Sequence, residues 1–199
     1  MGGQDEFESL TRQRVAESAG VIAALLADTD LMRTTAEVAL RLIEALRQGR
    51  RIFLFGNGGS AADAQHIAAE LVGRYQRQRP GLPAMALTVN SSSLTAIAND
   101  YSFDAVFARQ IEALGSAGDV AVAISTSGTS RNILVAADAA KNKGLVTVGM
   151  TGRTGGQLRE IVHRCLRVPS DETPRVQECH ILLGHILCEI VETELFGAG

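Results

Sequence analysis

The amino-acid sequence predicts a doubly wound α/β fold: a five-stranded parallel sheet between helices, with additional helices at both ends. Three observations carry this. Five apolar runs of four to seven residues recur along the chain, rich in Val, Ile and Leu and without clear polar alternation. Strands covered on both faces have this pattern, and they belong to parallel sheets. Most of these runs are followed by a Gly- or Ser-rich loop and then a helical pattern, the rhythm of an α/β domain. No long linker or low-complexity tract divides the 199 residues. The expectation is therefore one domain, 1–199, with N-terminal helices over 5–48, an α/β core over 51–169 and a C-terminal helix over 174–195.

Residues 5–28 and 30–48 carry the first two helical patterns. In the second, Leu31, Val38, Ala39, Leu42, Ile43 and Leu46 form an apolar face at helical spacing. Asp28-Thr29-Asp30 supplies cap-type residues between them. Helices placed before any strand either pack on a partner chain or form a hairpin on their own domain, and the pattern leaves both open. RRIFLF then precedes GNGGS and a helix, and PAMALTV precedes SSS and a helix. DVAVAIS precedes TSGTS and the helix RNILVAADAAKNKG, which Lys143-Gly144 closes with a C-terminal glycine. LVTVGM precedes TGRTGG and a helix, and HRCLRVP is the fifth run. Pro174 to Leu195 reads as one long helix with Pro in its first turn.

Composition narrows the function. A hydrophobic content of 46% fits a globular protein and excludes a mostly disordered one. A net charge of -3 without a basic face argues against nucleic acid as a partner. No apolar run approaches the roughly 18 residues of a membrane span, so no membrane partner is expected. The polar, acidic start MGGQDEFESLTRQR carries no signal-peptide pattern. Cys165, Cys179 and Cys188 show no CxxC spacing, which fits a reducing cytosol and no disulfide framework.

In a doubly wound sheet, ligands sit beyond the carboxyl ends of the strands. Two loops fall there. Gly56-Asn57-Gly58-Gly59-Ser60 lets backbone N–H groups turn towards a ligand at a helix N-terminus. Ser125-Thr126-Ser127-Gly128-Thr129-Ser130 offers five hydroxyls around one glycine, also at a helix start. Alone, each reads equally as a tight turn or a cap; both at strand ends in one small domain point to an anion. Neither is a P-loop or a GxGxxG motif, so a small phosphorylated metabolite is expected rather than a nucleotide.

His66 and Glu70 are one turn apart on one helical face. That spacing suits a metal pair, but alone it is more common as an ordinary surface or core pair. Gln177 and His185, in VQECHILLGHILCEI, project about 80° apart on the last helix. Both are expensive to bury without partners. If the two helices meet, the four side chains surround one cation; chain spacing does not decide whether they meet. His180 reads as packing or interface, His163 as exposed, and Cys179 and Cys188 as inert core thiols. Asn99-Asp100, ending one helix and beginning another, is a capped turn or a sugar-facing pair. Asp171 and Arg175 are a capping cluster or a rim of the site.

The motifs GNGGSAADAQHIAAEL, LTAIANDYSFD, ISTSGTSRN and SDETPRVQECHILLGHILCEIVE together resemble the sugar isomerase (SIS) domain superfamily, with its flavodoxin-like sheet, and within it the phosphoheptose isomerases. The resemblance runs over most of Arg51 to Glu192 and is more specific than any one motif. It implies an aldose–ketose isomerase acting on sedoheptulose 7-phosphate, a phosphorylated seven-carbon sugar, in a cytoplasmic homotetramer that feeds heptose synthesis for lipopolysaccharide or other surface glycans. By resemblance, Asn57, Gly58 and Gly59 line the substrate site, Asn99 and Asp100 contact the sugar, and Ser125, Thr126, Ser127 and Ser130 cradle the phosphate. His66, Glu70, Gln177 and His185 hold one zinc ion per subunit, with Glu70 and Gln177 also touching substrate. Thr129 stands where relatives often carry Asn. In the expected mechanism Glu70 is the base and His185 the acid. The superfamily also contains non-enzymatic members that bind the replication initiator or sense sugar phosphates; all four metal-ligand positions are present here, which favours the enzyme.

Overall fold

The computed structural model describes residues 3–197; the expected bounds 1–199 reach two residues further at each end. Helices α1 (Gln4–Ala27) and α2 (Thr29–Arg47) meet at Asp28, whose carboxylate accepts the Leu31 N–H at 2.9 Å and caps α2. The anticipated apolar face of α2 is buried, joined by Thr35 and Ala45. In α1 only Leu25 is buried, while Phe7, Leu10, Val15 and Leu26 face solvent.

Five strands, β1 (Ile52–Gly56), β2 (Ala84–Ala86), β3 (Val120–Ile124), β4 (Val146–Thr151) and β5 (Arg164–Arg167), form one parallel sheet in the order β2-β1-β3-β4-β5. The chain leaves β1 towards one edge and returns through β3 towards the other. The crevice beyond their carboxyl ends is therefore the topological switch point. Helix α3 (Gly59–Val72) follows β1. Helix α4 (Ser91–Asp100), a 3-10 turn at Phe103–Ala105 and α5 (Ala108–Leu114) connect β2 to β3. Helix α6 (Arg131–Asn142) follows β3, the single-turn α7 (Leu158–Ile161) follows β4, and α8 (Thr173–Phe196) follows β5 with Pro174 in its first turn.

Strand alternation divides the core into two layers. Ile52, Leu54, Val122 and Met150 pack with α2, α3 and α8. Phe53, Phe55, Ala121 and Ala123 pack with α5 and α6. Three expectations need correction. Burial on both faces holds for β1 and β3; at the edges, Met85 of β2 and Arg164 and Arg167 of β5 reach solvent. Edge strands have a neighbour on one side only, so their outer residues remain polar or open. The helix after TGRTGG is one turn long, because the chain enters β5 directly. Asn99-Asp100 closes α4, but no helix begins there, since Tyr101 and Ser102 precede the 3-10 turn.

Helix α8 is joined to the end of β4 by His180, which is fully buried and donates from Nε2 to the Thr151 carbonyl at 3.2 Å. Burial lowers its pKa to about 4. The folded state thus keeps His180 neutral while the unfolded chain protonates near pH 6.5. The unfolded state binds more protons between these values, so unfolding free energy falls as pH drops from about 6.5 to 4. The expected loss from this group is about 3 kcal/mol. Denaturant titrations across this range check it: His180→Gln, which does not titrate, should show a correspondingly flatter dependence.

Candidate active site

The two Gly/Ser loops meet at the switch point. Asn57, Gly58, Gly59 and Ser60 from the first, Ser125, Thr126 and Ser130 from the second, and Thr173 and Gln177 at the start of α8 enclose a cleft of about 290 Å³. The amides of Asn57 and Asn132 exchange two hydrogen bonds of 2.9 Å, tying the first loop to α6. Ser130 is the N-cap residue of α6, yet its side chain makes no capping bond; its hydroxyl instead accepts from Ser125 Oγ at 3.4 Å, on the cleft lining. Ser125 Oγ accepts the Gly128 N–H at 3.2 Å and shapes the turn. Glycine backbones, hydroxyls and two helix N-termini facing one cleft suit an anion without needing a lysine or arginine.

Helices α3 and α8 do meet. Gly184 eases this approach: a Cβ there would stand 2.6 Å from Ile67 Cδ1, so a larger residue would require the Ile67 side chain to shift. The consequence is a cluster two turns along α3 from the cleft. His66 Nε2 lies 3.1 Å from Glu70 Oε1 and 3.1 Å from His185 Nε2. The three ligand atoms lie within 4.8 Å of one another. Tetrahedral zinc with ligands at about 2.0–2.1 Å separates them by about 3.3 Å, so two imidazoles and a carboxylate arranged this way fit such an ion. His66 and Glu70 retain solvent access, with side chains 47% and 24% exposed, so a substrate can reach them.

The remaining expected residues are distributed differently. Gln177 stands against Gly59, where its Nε2 would lie 2.4 Å from an added Cβ. It is about 12 Å along α8 from His185, between the cleft and the cluster rather than beside the histidines. Ser127 is exposed and accepts from the Thr129 hydroxyl at 3.0 Å, outside the cleft lining. Asn99 and Asp100 are exposed, and the Asn99 amide donates to the Asp100 carboxylate at 2.9 Å. Asp171 pairs with Arg153 at 3.0 Å and does not cap α8; Arg175 reaches Glu178 and the Arg14 carbonyl. Cys188 is 2% exposed, and burial pushes its thiol up to about 12, which keeps it inert.

Sequence reasoning missed four residues. Thr173 lines the cleft from the first residue of α8. Asp63 sits one turn before His66; its Oδ2 is buried with no hydrogen-bond partner among the described residues. Burial raises its pKa, partly offset by His66. Arg79 and Glu192 form a buried ion pair behind Glu70. A carboxylate in the apolar run CEIVE was the available signal for Glu192; its partner, 113 residues away, left none.

A wider groove of about 620 Å³ lies between α2 and β5, but its charges are already paired, Arg41 with Glu44 at 3.1 Å and Arg164 with Glu37 at 2.6 Å.

A doubly wound sheet with a hydroxyl-lined anion cleft at its switch point defines a sugar-phosphate-binding α/β protein, and the SIS domain family matches residues 18–152. The chain is 50% identical to a phosphoheptose isomerase of Aneurinibacillus thermoaerophilus, over 93% of both chains. It is 53% identical to one of Burkholderia pseudomallei, over 92% of this chain and 93% of that one. The solved phosphoheptose isomerase of Neisseria gonorrhoeae superposes with a TM-score of 0.88 at 40% identity, covering 94% of this chain and 99% of that one. The chain belongs to the phosphoheptose isomerase family of SIS-domain proteins. It is an enzyme, a sugar-phosphate isomerase, which removes the non-enzymatic alternative.

Proposed function

We propose that the protein interconverts sedoheptulose 7-phosphate and D-glycero-D-manno-heptose 7-phosphate, with the phosphate in the cleft and the reacting carbons at His66, Glu70 and His185. The observation that carries this is the separation of the two places. From Gly59 to His66 is about 10 Å along α3. An extended seven-carbon chain spans on the order of 9 Å from C2 to its terminal phosphorus. A three-carbon phosphate would fall short.

The isomerisation moves a proton between C1 and C2 through a cis-enediol. It needs a base over the carbon acid and an acid for the oxygen. Glu70 takes the proton, and His185 gives one to the carbonyl oxygen. Their ligand atoms belong to one cluster within 4.8 Å, close enough to serve adjacent carbons. Zinc, one per subunit and held by His66, Glu70 and His185, would polarise the carbonyl when bound. A metal-bound carboxylate is a weaker base, so Glu70 alternates between holding and accepting. The phosphate grip contributes orientation, worth several kcal/mol in such reactions. Asn57, Gly58, Gly59, Ser125, Thr126 and Ser130 supply that grip, and Asn99, Asp100 and Gln177 the sugar contacts.

We further infer one SIS domain across 1–199, working as a cytoplasmic homotetramer in heptose precursor synthesis for surface glycans. The exposed apolar side chains of α1 support subunit contacts, and no described helix is long and apolar enough to cross a membrane. The test is incubation with sedoheptulose 7-phosphate, followed by NMR, with and without a chelator. The expected result is aldose formation that the chelator suppresses and Zn²⁺ restores. No conversion in either condition overturns the substrate, and conversion indifferent to chelation overturns the metal.

A further inference from the structure

Behind Glu70 lies a buried ion pair that the proposed chemistry leaves unused. Arg79 and Glu192 side chains are 1% and 2% exposed, with Arg79 Nε 2.9 Å from Glu192 Oε1. Such a pair is a weak source of stability, because desolvating both charges offsets most of their attraction. What it fixes is geometry. The Arg79 guanidinium donates to the carbonyls of Glu70 at 2.8 Å, Leu71 at 2.7 Å and Pro80 at 3.0 Å, closing the C-terminal turn of α3. The Phe196 ring centroid lies 5.7 Å from the guanidinium carbon. Glu192 accepts the backbone N–H groups of Tyr75 at 3.2 Å, Gln76 at 2.7 Å and Arg77 at 3.1 Å. Those bonds fold the segment after α3 back onto α8. There the Tyr75 ring centroid lies 5.8 Å from that of His185.

We propose that the Arg79–Glu192 pair is a positioning clasp for the His66–Glu70–His185 cluster. It anchors the backbone of Glu70 from one side and, through Tyr75, the ring of His185 from the other. Glu192 and His185 are two turns apart on α8, so one carboxylate connects both helices that carry the cluster. The planar fork of arginine matters, since a lysine offers three donors from one point and cannot meet Glu192 and the helix carbonyls together. This inference rests on the cluster being the metal and proton-transfer site.

The test compares Glu192→Gln, Arg79→Lys and Tyr75→Leu with Leu166→Ala, a core truncation in β5 remote from the clasp, using Zn²⁺ titration against a chromophoric chelator and steady-state kinetics below the melting transition. Loss of a supporting interaction around a metal site typically costs 10- to 100-fold in metal affinity or activity. The clasp variants should bind Zn²⁺ about tenfold more weakly and lose about tenfold in kcat, with KM within about twofold because the anion cleft is remote. Leu166→Ala should lower Tm and leave Zn²⁺ affinity and kcat unchanged. Clasp variants that lose only Tm, as Leu166→Ala does, overturn the proposal. Should the charge variants fail to fold, Tyr75→Leu keeps the ion pair, and unchanged Zn²⁺ affinity in it overturns the proposal alone. Wild-type protein that binds no Zn²⁺, together with an active Glu70→Gln, instead overturns the reading of the cluster itself.

Discussion

Glu70→Gln is expected to lower kcat by about 10³-fold or more, with phosphate binding retained. Glutamine keeps the length and shape of the side chain but cannot accept a proton from carbon, and it is a poorer ligand than a carboxylate. Both proposed duties of Glu70 are lost in one substitution, which places the expected effect at the upper end of the range for a general base. The fold should survive. Glu70 is only partly buried, its side-chain contact is with exposed His66, and its carbonyl bond to Arg79 does not depend on the side chain. The anion cleft is about three turns away along α3 and shares no side chain with Glu70. Turnover of sedoheptulose 7-phosphate by NMR and calorimetric binding of the same sugar to the variant separate chemistry from binding. Activity within tenfold of wild type would show that the base lies elsewhere, with Asp63, two turns earlier on α3, the first carboxylate to examine.

Much of this arrangement was legible along the chain because it is written locally. The buried strands β1 and β3 announce themselves as VAVAI-like runs, and the loops after them as Gly/Ser tracts whose backbone must turn towards a ligand. His66 and Glu70 share a face by spacing alone. The meeting of His66 with His185 was not legible, because it depends on how closely α3 and α8 approach. Gly184 packed on Ile67 is part of that approach, and in the sequence it is one glycine inside an apolar helix. Gln177 shows the converse. Chain spacing left its grouping with the two histidines open and resemblance implied it, whereas the packing sets it beside Gly59, on the lining of the anion cleft. Of the Arg79–Glu192 pair, only Glu192 left a local trace, as a carboxylate in an apolar run, because its partner comes from a loop far away in the chain. Elements follow from periodicity; a site assembled between elements follows from the few residues that set the distance between them.

The loop after β3 shows how sharply such a residue acts, and Gly128→Ala should be the most damaging small substitution in the anion cleft. Gly128 has φ +65°, and a Cβ there would stand 2.1 Å from the Gly155 carbonyl oxygen and 2.6 Å from its carbon. Neither neighbour is a side chain that can swing away. The contact is backbone against backbone, and the Leu158 N–H donates to the Gly128 carbonyl at 3.0 Å across the same junction. An alanine must adopt a left-handed conformation, at about 1–2 kcal/mol. It must also push the two loops apart, with overpacking of this kind costing about 1–3 kcal/mol more. The expected destabilisation is about 2–5 kcal/mol, a fall in Tm of roughly 5–15 °C for a chain of this size. Function should suffer in a particular way. The turn that presents Ser125, Thr126 and Ser130 loses the Gly128 N–H to Ser125 Oγ bond that shapes it, while His66, Glu70 and His185 stand on other elements. KM for the sugar phosphate should therefore rise at least about tenfold. Zn²⁺ affinity, measured below the lowered Tm, should stay within about twofold of wild type. A variant with normal KM would mean that the hydroxyl loop does not hold the phosphate. One that lost Zn²⁺ as well would mean that the cleft and the metal cluster are a single cooperative unit, and the separation that argues for a seven-carbon substrate would lose its meaning.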